Sequence, residues 1–259
     1  MMKQCIDLNC DLGESFGIYT LGQDEEILKL VTSANIACGY HAGDHRVMAE
    51  TVDLAKASGT AVGAHPGYPD LAGFGRRAMN IDPEEIYDLV IYQIGALQGF
   101  CQSKKVSMQH VKPHGALYNH ACADQEAAEA VAEAVAAVNP GLLLYGLSGS
   151  ELIKAGEKKG LKTVNEVFAD RTYMTDGSLT PRSHAKALIH DKQEAEHRVI
   201  EMISSQQTEA LDGSLVPLQA DTICVHGDKP EALDFVKQLH EAFSRNNITA
   251  KAPGEFSNE

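Results

Sequence analysis

The chain has 259 residues, 44% of them apolar, with a formal net charge of −14 from 36 acidic and 22 Lys and Arg side chains. The apolar share can supply the core of one large domain over residues 1–259, whereas the acidic balance opposes docking on nucleic-acid phosphates or anionic lipid. No stretch approaches the roughly 20 apolar residues of a membrane span, and Asp7 and Asn9 interrupt the N-terminal segment where a signal peptide would need an apolar block.

Cys5, Cys10, Cys38, Cys101, Cys122 and Cys224 form no C-x-x-C pair, so neither a Cys-based zinc site nor a thioredoxin-like motif is indicated. A disulfide framework is not expected at this length. These features together predict a cytoplasmic protein.

Short apolar runs ending in Asp, His and Gly alternate along the chain with amphipathic segments. Strands are predicted at Gln4–Leu8, Ser33–Ala37, Thr60–Ala64, Ser107–Val111, Leu142–Gly146, Thr163–Val167 and Thr222–Val225. Asp44 can cap a helix that runs to Ser58 and stops at Gly59. Asp82-Pro83-Glu84-Glu85 reads as a helix start, with Ile86, Leu89, Val90, Ile94 and Leu97 on one face. Asp124 can cap an Ala-rich helix through Val138, stopped by Asn139-Pro140-Gly141. A further helix is expected near Ala185–Ser204, followed by a hairpin turning at Asp212-Gly213. Lys229-Pro230-Glu231 opens a last helix with Leu233, Val236 and Leu239 inward. Seven strand–helix units predict a TIM-like parallel β/α barrel of seven strands, with an open doubly wound sheet as the alternative. Either architecture brings the loops after the strands to one face.

Those loops carry the candidate chemistry. In an extended segment Asp7, Asn9 and Asp11 share a face, and such a row is costly to bury unless it is hydrogen-bonded or binds something. It can supply a base, a metal ligand or a substrate anchor. His41 and His45 are four apart, a spacing that zinc sites use, so Asp11, His41 and His45 form a candidate metal set. His65 follows the third strand. Arg76 and Arg77 lie among glycines and suit an anion, or else form an ordinary solvated pair. Lys112 and His114 lie just past the fourth strand. Glu166, Asp170 and Arg171 follow the sixth, where internal salt bridges are the competing reading. His226 ends the seventh. Cys10, Cys38 and Cys224 read as small packing residues. Neither a G-x-S-x-G elbow nor a G-x-x-x-x-G-K-[ST] loop occurs.

Taken in order, DLNCDLGE at Asp7–Glu14, ANIACGYHAGD at Ala34–Asp44, GAHPGYPD at Gly63–Asp70 and GFGRR at Gly73–Arg77 resemble the LamB/YcsF-type family. So do VKPHGALYN at Val111–Asn119, EVFADRTY at Glu166–Tyr173, DGSLTPRS at Asp176–Ser183 and CVHGD at Cys224–Asp228. The resemblance covers nearly the whole chain. It implies the seven-stranded barrel of the glycoside hydrolase/deacetylase type and the role of the A component of an ATP-dependent 5-oxoprolinase, which opens 5-oxo-L-proline to L-glutamate. It also implies ATP with Mg as co-substrate and subunits B and C as partners. His45 departs from the small residues of the family pattern, which counts against it as an essential ligand.

With that reading Asp11, His41, His65, Lys112 and His114 are the candidate catalytic residues. Asp7, Asn9, Arg76, Glu166, Asp170, Arg171 and His226 are the candidate substrate contacts. A base for water is sought among Asp11, His41 and His65, while Lys112 or an Arg holds the substrate carboxylate or a developing oxyanion. The competing functions are a metal-dependent deacetylase or carbohydrate hydrolase on the same barrel, and a substrate-binding subunit without catalysis.

Overall fold

The computed structural model describes residues 4–227 and 232–255. Along them lie ten strands: β1 Gln4–Leu12, β2 Ser33–Ala37, β3 Ala61–His65, β4 Met108–Val111, β5 Leu143–Leu147, β6 Lys162–Phe168, β7 Gln207–Glu209, β8 Leu215–Pro217, β9 Thr222–His226 and β10 Ile248–Ala250. The first six pair side by side in parallel, β9 follows β6, and β9 pairs in turn with β1. The result is a closed seven-stranded parallel barrel. β10 adds alongside the start of β1, with Gln4 opposite Ile248. The predicted hairpin is present as the antiparallel pair β7–β8, with Thr208 opposite Val216. Its turn is held by Asp212, whose carboxylate accepts from the Ser214 amide and hydroxyl.

The helices are α1 Asp24–Ile27, α2 His45–Ser58, α3 Pro83–Lys104, α4 Gly115–Ala123, α5 Gln125–Val138, α6 Glu151–Lys158, α7 Lys192–Ser205 and α8 Ala232–Arg245. Among the described residues no helix is long and apolar enough to cross a membrane. Asp44 caps α2 by accepting from the Arg46 and Val47 amides, and Gly59 ends it in the left-handed conformation. Asp124 caps α5 through the Ala127 amide. Asp82 sits at the N-cap of α3 but makes no capping bond, so Pro83 at the first helical position carries that start. The helix expected from Ala185 begins instead at Lys192, where the Asp191 carboxylate takes the Gln193 and Glu194 amides. The opening Lys229-Pro230-Glu231 lies outside the described residues. Val236 and Leu239 of α8 are buried, and Leu233 packs at the border of the core.

Strand parity sorts the barrel into two environments. In β1, Ile6, Leu8, Cys10 and Leu12 join the apolar cluster shared with the helices, while Asp7, Asn9 and Asp11 point into the barrel. Barrels of this kind are usually filled by branched apolar side chains. Here the filling is polar. Ser33 and Asn35 of β2, Tyr145 of β5, Glu166 of β6 and Thr222 of β9 meet the β1 polar row across the lumen, and His110 of β4 joins through Asn35.

Gly63 makes that filling possible. A Cβ at this position in β3 would stand 2.1 Å from the His110 ring, which itself stacks on Tyr145 at 4.3 Å between centroids. Gly63→Ala should therefore lower the urea unfolding free energy by about 1–3 kcal/mol, the usual range for overpacking a filled interior. Gly99→Ala, on the exposed face of α3 with nothing near its Cβ position, should raise it by about 0.5–1 kcal/mol.

Candidate active site

β4 ends at Val111, and the Lys112 amide continues the pairing by donating to the Ala64 carbonyl at 2.9 Å. This sends the Lys112 side chain into the lumen, where it is 2% exposed. Its ammonium donates to Asp11 Oδ1 at 2.9 Å and Asn9 Oδ1 at 3.1 Å. It also lies 2.8 Å from Glu166 Oε1 and 3.0 Å from Cys224 Sγ. Burial pulls the ammonium toward neutrality, but the Asp11 and Glu166 carboxylates outweigh it and hold its pKa well above the ordinary lysine value. Lys112 is therefore a fixed cation between two carboxylates. Burial raises the Cys224 thiol well above its ordinary pKa, which favours the packing role over a nucleophilic thiolate.

Below the lysine the hydrogen bonds run in layers. Asn9 Nδ2 donates to Glu166 at 3.0 Å and Thr222 at 2.8 Å. Asn35 Nδ2 bridges Asn9 at 2.7 Å and Asp11 at 2.8 Å, and Asn35 Oδ1 meets His110 Nε2 at 2.8 Å. At the bottom Asp7 accepts from the hydroxyls of Thr32, Ser33, Tyr145 and Thr222. Burial raises the Asp7 pKa, opposed by those four donors.

Above the lysine stands a histidine cluster. His65 Nδ1 is 2.7 Å from the Lys112 carbonyl oxygen, and its Nε2 lies 3.4 Å from Asp11 Oδ2 and 2.9 Å from His114 Nδ1. His114 Nε2 is 2.9 Å from the Phe74 carbonyl oxygen. The His41 ring lies parallel to that of His114, 3.7 Å away, and its Nε2 is 3.4 Å from Glu14 Oε1. All three imidazoles are buried. Burial, and then the neighbouring imidazoles, hold His41 and His114 well below the ordinary histidine value. Among the described residues, Glu14, His41, His65 and His114 each present a donor atom within 4.8 Å of the others, close enough together that they could hold a metal ion.

A cavity of about 660 Å³ opens onto this floor, reaching Asp11, His65, Lys112 and His114. Arg76 and Arg171 stand on its walls. Arg76 is exposed, with its guanidinium 4.8 Å from the Phe74 ring centroid. Arg171 is buried and ties down the following loop by donating to the Thr180 and Ala187 carbonyls. Burial, and then Arg182, pull its pKa down to about 10.

Asp11, His41, His65, Lys112 and His114 are thus brought together. Asp7, Asn9 and Glu166 lie beneath the cavity, buried in the network under Lys112. Asp170 borders a separate cavity of about 320 Å³ beside His190 and Lys192. The His226 backbone pairs with Asp11, while its side chain lies outside the described residues. The Asp11–His41–His45 metal set is not formed. α2 starts at His45, which leaves its ring exposed, whereas His41 precedes the helix and turns inward. Arg77 is paired with Asp70. Glu14, Asn35 and His110 join the site without having stood out as candidates in the sequence. Glu14 breaks the alternation of β1, since the chain leaves the strand through Gly13 at φ 70°, and parity no longer predicts where its side chain points.

A closed parallel seven-stranded barrel with carboxylates, imidazoles and one lysine gathered at the strand ends defines a β/α-barrel protein with a polar site at the rim. The LamB/YcsF family model matches residues 6–258, and the chain belongs to that family. It is 58% identical over 253 residues to the A component of 5-oxoprolinase from Halalkalibacterium halodurans, covering 98% of both chains. It is 57% identical over 250 residues to that of Bacillus subtilis, covering 96% of this chain and 97% of the relative. The structure of a lactam utilization protein from Thermus thermophilus superposes with a TM-score of 0.91 at 47% identity, covering 96% and 100% of the two chains. A putative cellobiose-phosphate cleavage protein from Enterococcus faecalis has a TM-score of 0.58 at 12% identity, covering 99% and 100%, and shares the fold alone.

Removing one member of a buried ion pair leaves the other uncompensated, at a cost of about 3–5 kcal/mol. Lys112→Met should lower the unfolding free energy by about that amount. Adding Glu166→Gln should recover part of the loss, which chemical denaturation of the two variants measures directly.

Proposed function

We propose that this chain is the lactam-binding component of an ATP-dependent 5-oxoprolinase, working in the cytoplasm with subunits B and C to convert 5-oxo-L-proline to L-glutamate. The observation that carries the reading is the joining of one cavity to Asp11, His65 and Lys112, in a chain closely similar to proteins named as the A component of 5-oxoprolinase.

A five-membered lactam is a stable amide, and the site must make its carbonyl carbon more electrophilic. Transfer of the γ-phosphoryl group of ATP, bound with Mg, to the lactam oxygen does this and releases ADP. Water then adds to the activated carbon and gives up its proton to Asp11, whose Oδ1 accepts from the Lys112 ammonium at 2.9 Å. The carbon–nitrogen bond breaks, the ring nitrogen takes up a proton, and an acyl phosphate remains. A second water releases inorganic phosphate and glutamate. Arg76 and Arg171 are the cations on the cavity wall that can hold the substrate carboxylate.

Two measurements test the proposal. Glutamate release from 5-oxoproline and ATP should require the partner subunits, and comparable release by this chain alone would overturn the shared-site reading. In the reconstituted complex, Asp11→Asn should reduce turnover by at least about a hundredfold, the scale of a lost general base. Near-normal turnover in a folded variant would remove Asp11 from the mechanism.

A further inference from the structure

The contacts of His65 and His114 cannot be satisfied by two neutral rings. His65 Nδ1 faces the Lys112 carbonyl oxygen at 2.7 Å, and His114 Nε2 faces the Phe74 carbonyl oxygen at 2.9 Å. A carbonyl oxygen only accepts, so each of those nitrogens carries a hydrogen. In a neutral imidazole the other nitrogen then bears a lone pair. Those two nitrogens, His65 Nε2 and His114 Nδ1, face each other at 2.9 Å. Two lone pairs at that distance repel unless a cation joins them.

A proton would answer for this pair and nothing more. It would leave His41 buried with neither ring nitrogen in a hydrogen bond, an arrangement that costs on the order of 1–3 kcal/mol per orphaned group. A metal ion accounts for the whole cluster. We propose that His65 Nε2, His114 Nδ1, His41 and Glu14 form a binding site for one divalent transition-metal ion of the zinc class.

The spacing supports this. Ligands about 2.0–2.1 Å from a tetrahedral zinc lie about 3.4 Å from one another. Three separations bracket that value, at 2.9 Å between His65 and His114, 3.4 Å between His41 and Glu14 and 3.8 Å between His114 and Glu14, and all four donor groups lie within 4.8 Å of one another. The two carbonyls that receive the outer N–H groups fix both rings with their lone pairs inward, as hydrogen-bond partners of metal-bound histidines do. Three imidazoles and one carboxylate favour zinc, cobalt or nickel over magnesium and calcium, which prefer oxygen. Because His41 stacks on His114, uptake tilts the His41 ring, which no hydrogen bond holds. The ion would border Asp11 and the cavity floor. The inference stands on the histidine geometry and does not depend on the lactam reading, so its test reads binding and not turnover.

The purified full chain, stripped with dipicolinate and dialysed, is titrated with Zn²⁺ by calorimetry and with Co²⁺ by visible absorption. One equivalent should bind, with the intense ligand-field bands of four-coordinate cobalt. His65→Ala and His114→Ala should each weaken binding by at least about a hundredfold, no less than the loss of an outer hydrogen-bond partner costs. Glu14→Gln, nearly isosteric, should weaken it by about tenfold or more, and keeps the test decisive if a histidine variant fails to fold. His45→Ala, at the exposed start of α2, should bind as the parent does. Absence of saturable binding, or unchanged affinity in Glu14→Gln or in the folded His65→Ala, His114→Ala double variant, would overturn the proposal.

Discussion

The Lys112 ammonium is the tie on which the barrel interior depends. It reaches side chains from three other strands, Asn9 and Asp11 of β1, Glu166 of β6 and Cys224 of β9. Neither carboxylate would be tolerable at this depth without the cation, and the cation would not stay charged without them. A well-packed apolar filling of similar volume would stabilise the fold at least as well. The polar lumen is therefore better explained by what it holds at its upper end than by what it contributes to folding.

The network has a direction. At the bottom Asp7 is enclosed by four hydroxyl donors, and the layer above it is knit together by the Asn9 and Asn35 amides. At the top the bonding changes character. His65 and His114 have their outer nitrogens anchored to backbone carbonyls and their inner nitrogens turned toward each other. A rigid, hydrogen-bonded base thus carries a ring of imidazoles and carboxylates with strong mutual demands. Glycine shapes the surroundings of that ring. A Cβ at Gly67 would lie 2.7 Å from His41 Nδ1, and one at Gly75 would lie 2.6 Å from His41 Cβ, so the loops after β3 close directly over the cluster.

The walls of the cavity are built differently from its floor. Arg171 is immobilised by the Thr180 and Ala187 carbonyls, so its loop and its guanidinium are positioned together. Arg76 is exposed and rests on Phe74, whose own carbonyl anchors His114. A ligand that engages Arg76 would therefore touch the same short segment that orients the histidine cluster. The wall and the floor are mechanically linked through one residue.

Much of this is written in the local pattern of the chain. The alternation of short runs with amphipathic segments identifies the barrel, because strand and helix periods depend on residues only a few positions apart. The inward row of Asp7, Asn9 and Asp11 follows from the same two-residue period, and Asp212-Gly213 specifies its hairpin by turn chemistry. α4 and α6 leave no such signal, because nine and eight residues are too short to develop a clear repeat. What tertiary structure decided is which strand ends meet. Lys112 finds Cys224 across 112 positions, and Asn9 finds Glu166 across 157, pairings that no short-range period encodes. A four-residue spacing makes His41 and His45 look like partners, yet the first turn of α2 begins between them and sends one ring to solvent. The sequence determined the kinds of group at the rim. Barrel closure determined their neighbours, because side-chain distances across the lumen depend on strand register and not on separation along the chain.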